Sequence, residues 1–164
     1  MGDSAFSAVV GEASAEVLDQ VAVTEQALYV GISKMVAGNR TGDVSAAIQA
    51  YVESKGYQVV REYTGHGVGR QMHEGPQLPN YGTAGRGMLL QPGMVIALEP
   101  MVMKGTYETL TLADQWTVIS ADKKLTTHWE HTVAVTDGEP MILTCLADGS
   151  SPAKIAGQLQ PIGV

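Results

Sequence analysis

The clearest folding signal in the chain is residues 128–145, which read HWEHTVAVTDGEPMILTC. Apolar residues dominate both 129–136 and 140–145, and the dipeptide Asp137-Gly138 lies between the two runs. Asp-Gly between two alternating apolar runs is typical of a tight hairpin turn. We therefore predict two antiparallel strands that are joined at Asp137-Gly138.

Two amphipathic helices are predicted upstream of this hairpin. The first has Ser14 as its N-cap and runs to a stop signal at Gly38-Asn39. The second is capped by Thr41 or Asp43 and ends at Lys55-Gly56. Apolar residues recur at helical spacing in both segments, so each helix is expected to pack against the protein on one side.

The remaining segments favour strands. In addition to the hairpin, strands are predicted at 1–12, 57–62, 94–99, 101–104, 109–112 and 116–120. Residues 65–93 are rich in glycine and proline, and we expect them to form a long irregular stretch of the functional kind. Helices followed by strands indicate an α+β fold with a largely antiparallel sheet.

Length and charge limit the classes of protein that fit. The chain has 164 residues, with 10 Lys and Arg against 17 Asp and Glu, giving a net charge of −7. This balance argues against a nucleic-acid partner, and no apolar run approaches the roughly 20 residues of a membrane span. Residues 1–13 lack the features of a secretion signal. We expect a cytoplasmic protein with one domain over 1–149 and a polar tail over 150–164.

Four residues could together bind a metal ion. Glu99 follows an apolar strand, Glu130 lies in the hairpin, His66 is flanked by glycines and Asp3 lies near the start. Taken singly, each has an ordinary alternative, such as a surface histidine or a carboxylate that faces water. Together, one imidazole and three carboxylates are an oxygen-rich ligand set that suits Mn, Fe, Co or Zn in a hydrolytic centre.

Other chemistries find less support in the sequence. The chain has no Gly-x-Ser-x-Gly motif of a serine hydrolase. The glycines at 65, 67 and 69 do not have the spacing of a phosphate-binding loop. The single cysteine, Cys145, lies in a predicted strand, and we interpret it as a core thiol.

Seven short motifs occur in order between residues 2 and 145. They are Gly2-Asp3-Ser4, Tyr63-Thr64-Gly65-His66-Gly67-Val68-Gly69, Met72-His73-Glu74-Gly75-Pro76, Gln91-Pro92-Gly93-Met94, Leu98-Glu99-Pro100-Met101, Asp114-Gln115-Trp116-Thr117 and Glu130-His131-Thr132. With these motifs the chain resembles the type 1 methionine aminopeptidases, metal enzymes that remove the initiator methionine from new polypeptides. The resemblance implies the α+β pita-bread fold of the creatinases and aminopeptidases.

The resemblance also implies roles for individual residues. Metal ligands of the family are matched by Asp3, His66, Glu99 and Glu130. His73 matches a histidine near the scissile bond, so His73 and Glu99 are the implied catalytic residues. Tyr63 and Trp116, together with His73, are the implied substrate-binding residues. The implied substrate is the N-terminal methionine of peptides and nascent chains, with the ribosome nearby.

Two departures from the family pattern lead to further expectations. The family has another aspartate ligand upstream of the one that Asp3 matches, so we expect a truncated enzyme with part of the fold, one metal instead of two and impaired activity. Such a chain is expected to self-associate through its exposed face. His128 stands where the family usually has glutamine. It could add a nitrogen ligand or hydrogen-bond Glu130, and we favour the hydrogen bond.

Three other functions stay open at this point. The first is an Xaa-Pro aminopeptidase or dipeptidase on the same fold. The second is a non-catalytic binding module with this fold, and the third is an inactive fragment of an interrupted gene.

Overall fold

A computed structural model describes residues 1–150, and the predicted tail lies almost entirely outside them. The helices are α1 (Ala15–Ile32) and α2 (Thr41–Ser54). The strands are β1 (Ser4–Ala5), β2 (Gln58–Val59), β3 (Thr64–Gly67), β4 (Glu74–Pro79), β5 (Val95–Leu98), β6 (Met101–Met103), β7 (Thr109–Thr111), β8 (Val118–Ser120), β9 (Thr126–His128), β10 (Glu130–Ala134) and β11 (Met141–Ile142). Neither described helix is long and apolar enough to cross a membrane.

The strands form one large sheet and two small ones. The large sheet has the order β1-β10-β5-β3-β4, with β11 paired to β10. The smaller sheets are β2-β6-β9 and β7-β8. All these strand pairs are antiparallel, and β10 and β11 form the hairpin around Asp137-Gly138. The predicted α+β class with a largely antiparallel sheet is confirmed.

Helix α1 agrees with the sequence prediction at its start but not at its end, whereas α2 ends with its C-cap at the predicted Lys55. The Ser14 side chain accepts a hydrogen bond from the Val17 N–H and caps α1 as predicted. Helix α1 ends at Ile32, however, and not at the predicted stop at Gly38-Asn39. The segment after α1 instead pairs with residues near Leu90, because the Gly38 N–H donates to the Leu90 carbonyl.

The cap of α2 was assigned to the wrong residue. Arg40 is the N-cap, and neither Thr41 nor Asp43 takes that position. The Asp43 carboxylate nevertheless satisfies the helix start, because it accepts the backbone N–H of Arg40 at 2.7 Å. A carboxylate three residues into a helix commonly does this in a capping box.

Three of the strand predictions were wrong in extent. The strand predicted over 1–12 is limited to β1, that over 57–62 to β2 and that over 140–145 to β11. Residues 65–93 are not irregular throughout, since they contain most of β3 and all of β4. Strand β9 was not predicted as a separate element. Short two-residue pairings depend on the neighbouring strand more than on local sequence pattern.

The glycines of β3 explain the error over 65–93. A Cβ atom at Gly65 would lie 2.4 Å from the Ala97 carbonyl oxygen and 3.2 Å from that of Leu78. Glycine therefore allows β3 to pass closely between β5 and β4. Glycine usually favours a loop, but at this position it is required because neighbouring strands approach one another closely.

The hydrophobic core lies between the two helices and the large sheet. Side chains from both helices contact those of β5 and β10 in one cluster. Its fully buried members include Leu28, Ile48, Ile96, Leu98 and Val133. The helices thus cover one face of the sheet and support β5 and β10 from behind.

The close packing of β3 predicts the effect of Gly65→Ala. The added methyl group meets backbone oxygens on both sides, so we expect the free energy of unfolding to fall by about 1–3 kcal/mol, the usual cost of overpacking. Gly138→Ala is the matched control, because its Cβ would meet only the Thr136 hydroxyl at 4.0 Å. Urea denaturation measures both variants, and an unchanged midpoint for Gly65→Ala would contradict the close approach.

Candidate metal centre

Four neighbouring strands bring together the four proposed ligands. His66 lies in β3, Glu99 directly follows β5, Glu130 begins β10, and Asp3 directly precedes β1. These strands are adjacent in the order β1-β10-β5-β3. Residues that are far apart in the sequence therefore meet at one place on the large sheet.

The side chains converge to distances that suit a bound ion. One potential ligand atom from each of Asp3, His66 and Glu130 lies within 4.8 Å of the other two. The Nε2 atom of His66 is 3.5 Å from Oε1 of Glu99 and 3.9 Å from Oδ2 of Asp3. His66 and Glu130 are buried. His66 and Glu130 therefore form the buried part of the cluster, and Asp3 is its more exposed member.

The tautomer of His66 suits metal binding. Its Nδ1 atom is 3.0 Å from the carbonyl oxygen of Gly67. A carbonyl can only accept, so Nδ1 carries a proton, and in the neutral imidazole Nε2 then has the lone pair. The lone pair then faces the carboxylates. Histidines that bind metals are commonly oriented in this way, with the second ring nitrogen donating to a carbonyl.

The carboxylates repel one another in the absence of a cation. Burial, followed by the charge of Asp3, raises the pKa of Glu99 to about 7. Burial, followed by the charges of Glu99 and Asp3, raises the pKa of Glu130 to about 7 as well. Among residues 1–150, no lysine or arginine forms an ion pair with these carboxylates.

The donor set fits a divalent cation. Three carboxylates and one imidazole with a free lone pair provide the oxygen and nitrogen ligands that Mn, Fe, Co and Zn accept. A cation would also offset the burial and the repulsion that together raise the two glutamate pKa values. Asp3, His66, Glu99 and Glu130 are the residues that would hold it.

Two buried polar residues position the ligands through the backbone. The hydroxyl of Thr132 accepts the Asp3 N–H at 2.8 Å and donates to the Asp3 carbonyl at 2.7 Å. The Asn80 amide donates to the Glu99 carbonyl at 3.0 Å. Sequence analysis did not single out either residue for this role. Thr132 lies in the Glu130-His131-Thr132 motif, which is the one signal that could have indicated it.

His128 contacts a different carboxylate from the one expected. Its Nε2 atom lies 3.6 Å from Oε2 of Glu99, and it makes no hydrogen bond to Glu130. The expectation assumed one continuous strand, but the chain leaves β9 at His128 and enters another sheet at Glu130. Burial lowers the pKa of His128, which favours the neutral imidazole.

The proposed substrate residues occupy three different places. The ring of His73 packs against that of His66 at an interplanar angle of 52°, with the ring centroids 4.3 Å apart. Tyr63 lines a cavity of about 390 Å³ with Met101, Met103 and His128. Trp116 does not line this cavity; it lies in the loop between β7 and β8, and its side chain is 87% exposed.

The chain is similar in sequence to known proteins over most of its length. The model of "Metallopeptidase family M24" matches residues 1–137. The chain is 50% identical over 143 residues to methionine aminopeptidase of Clostridium acetobutylicum, covering 87% of this chain and 57% of the relative. It is 48% identical to methionine aminopeptidase 1 of Bacillus subtilis, covering 87% of this chain and 58% of the relative. The chain thus spans little more than half the length of these relatives.

A solved structure confirms the predicted pita-bread fold. The methionine aminopeptidase of Thermotoga maritima superposes with a TM-score of 0.86 and 45% sequence identity. The match covers 87% of this chain and 57% of that protein.

The raised glutamate pKa values predict how metal and pH act together on stability. An unfolded glutamate loses its proton near pH 4.5, whereas folded Glu99 and Glu130 keep theirs until about pH 7. The folded state therefore binds more protons between these values, and the contribution of the two groups to stability falls as pH rises through this window. A cation replaces the protons, so added Co²⁺ should raise the unfolding temperature more at pH 7.5 than at pH 5.5.

Thermal unfolding with and without Co²⁺ at the two pH values checks this prediction. A variant with both Glu99→Gln and Glu130→Gln is the control, because neither amide titrates. It should show almost no shift with Co²⁺ at either pH. An equal shift for the original chain at both pH values would contradict the coupling.

Proposed function

Because the chain belongs to metallopeptidase family M24, we propose that it provides the metal centre of a methionine aminopeptidase, which removes the N-terminal methionine from peptides and nascent chains. The observation that carries this proposal is the convergence of Asp3, His66 and Glu130 beside Glu99. The similarity to methionine aminopeptidases over most of this chain supports the substrate class.

We propose that Asp3, His66, Glu99 and Glu130 hold one divalent cation per chain, of Co, Mn, Fe or Zn. Bound there, the cation would polarise the carbonyl of the first peptide bond and make a nucleophile available from water near neutral pH. Support for a single cation comes from residues 1–150, in which Asp3, His66 and Glu130 form the one group of three or more ligand atoms within 4.8 Å of one another.

Two side chains of the site can move or hold protons. Glu99 lies beside His66, and its carboxylate can take a proton from water and return it to the leaving amine. His73 is exposed beside His66 and can donate a hydrogen bond to the carbonyl oxygen of the scissile bond as negative charge develops there.

The cavity next to Glu99 suits an apolar part of the substrate. Met101, Met103 and Tyr63 give it flexible and aromatic walls, which adapt well to a thioether side chain. Trp116 presents an exposed indole from the loop between β7 and β8, and we propose that it also contacts the substrate. We place the protein in the cytoplasm, where nascent chains are made. Proximity to the ribosome and self-association stay predictions.

Substrate preference tests the proposed function. With Co²⁺ or Mn²⁺, the 164-residue chain should hydrolyse Met-Ala-Ser and leave Leu-Ala-Ser and Lys-Ala-Ser almost unchanged, measured by release of the free amino acid. Preferred hydrolysis of an Xaa-Pro peptide would show a different peptidase. Metal binding without hydrolysis of any peptide would instead indicate a binding module.

Two histidine variants separate metal binding from catalysis. His66→Ala removes the proposed nitrogen ligand, so both metal affinity and hydrolysis should be lost. His73→Ala should keep the metal affinity within about threefold and lower kcat by roughly 100-fold or more, the usual scale for a lost stabiliser of developing charge. Calorimetric metal titration and peptide kinetics on the same samples measure both effects. Equal loss of metal affinity in the two variants would refute the assigned roles.

A further inference from the structure

The carboxylate of Glu99 lies between two imidazoles. Its Oε1 atom is 3.5 Å from Nε2 of His66, and its Oε2 atom is 3.6 Å from Nε2 of His128. Two neighbouring ligand atoms that are each about 2.1 Å from one metal lie about 3.0–3.4 Å apart, for bond angles between roughly 90° and 109°. The contact to His128 therefore has the spacing of a ligand pair, just as the contact to His66 does.

The contact between His128 and Glu99 is not a hydrogen bond. A distance of 3.6 Å is beyond the range of an N–H···O bond. Nε2 of His128 is buried and has no hydrogen-bond partner among the described residues. A buried nitrogen without a partner is costly, so its presence beside a carboxylate requires an explanation.

The backbone holds His128 in this position from two sides. Its N–H donates to the Ser7 hydroxyl at 3.0 Å, and that hydroxyl donates to the His128 carbonyl at 3.1 Å. Across the small sheet, His128 is paired with Met101 of β6. These contacts with Ser7 and Met101 hold the backbone of His128 in place beside Glu99.

We propose that His128 is a ligand of the cation and supplies a second imidazole nitrogen through Nε2. This inference rests on the proposed metal centre and extends its ligand set to two imidazoles and three carboxylates. Imidazole favours Zn²⁺, Co²⁺ and Fe²⁺ over Mn²⁺, which prefers oxygen ligands. His128 therefore shifts the metal preference of this chain away from Mn²⁺ and toward the metals that accept nitrogen.

X-ray absorption of the 164-residue chain with one equivalent of Zn²⁺ tests the proposal, because imidazole ligands give a countable scattering pattern. The original chain should show two imidazoles, and His128→Gln should show one. His73→Gln is the matched control, since it removes another imidazole next to His66 that does not face Glu99. It should keep two.

Metal competition provides the second readout. His128→Gln should lower the affinity for Zn²⁺ by more than the roughly 10–100-fold that loss of an outer hydrogen-bond partner costs. The affinity for Mn²⁺ should change much less, so that the ratio of the two affinities falls. An unchanged ratio would show that His128 does not bind the metal.

The outcomes separate this inference from the proposed metal centre. A single imidazole in the original chain would overturn the role of His128 while the metal centre stands, and this count needs no variant to fold. Loss of an imidazole in His73→Gln would assign the second nitrogen to His73 and also overturn it. Failure of the original chain to bind any Zn²⁺ would overturn both proposals.

Discussion

The site depends on carboxylates that the sheet brings together where burial and mutual repulsion both disfavour their charged forms. Asp3, Glu99 and Glu130 come from neighbouring strands or their ends, and their shared position follows from strand order. Burial of the glutamates and, after it, the neighbouring negative charges raise both glutamate pKa values to about 7. Holding these carboxylates ionised in this place costs stability, and a bound cation would offset that cost.

The rest of the fold can be understood as support for this cluster. The two helices pack behind β5 and β10 and hold these strands in place. Glycine at position 65 lets β3 approach β5 closely, which brings His66 to Glu99. Thr132 and Asn80 then fix the backbone of two ligands with buried hydrogen bonds.

Sequence pattern was sufficient where the structure depends on local chemistry. The Asp137-Gly138 hairpin and the Ser14 cap both rest on neighbouring residues, and both predictions are confirmed. Residues 65–93 could not be predicted in this way. Gly65 is needed because β3 packs closely against β5, which lies about 30 residues further along the chain. The motifs singled out the residues of the cluster, but not the carboxylate that His128 faces. That contact depends on the break between β9 and β10 at Trp129.

The most direct test of the account is a crystal of the 164-residue chain soaked with Co²⁺ and measured at the cobalt absorption edge. We predict one strong anomalous peak within bonding distance of Asp3, His66, Glu99 and Glu130. A fully occupied peak elsewhere, or no peak among these four side chains, would contradict the claim that their repulsion is balanced by a bound cation.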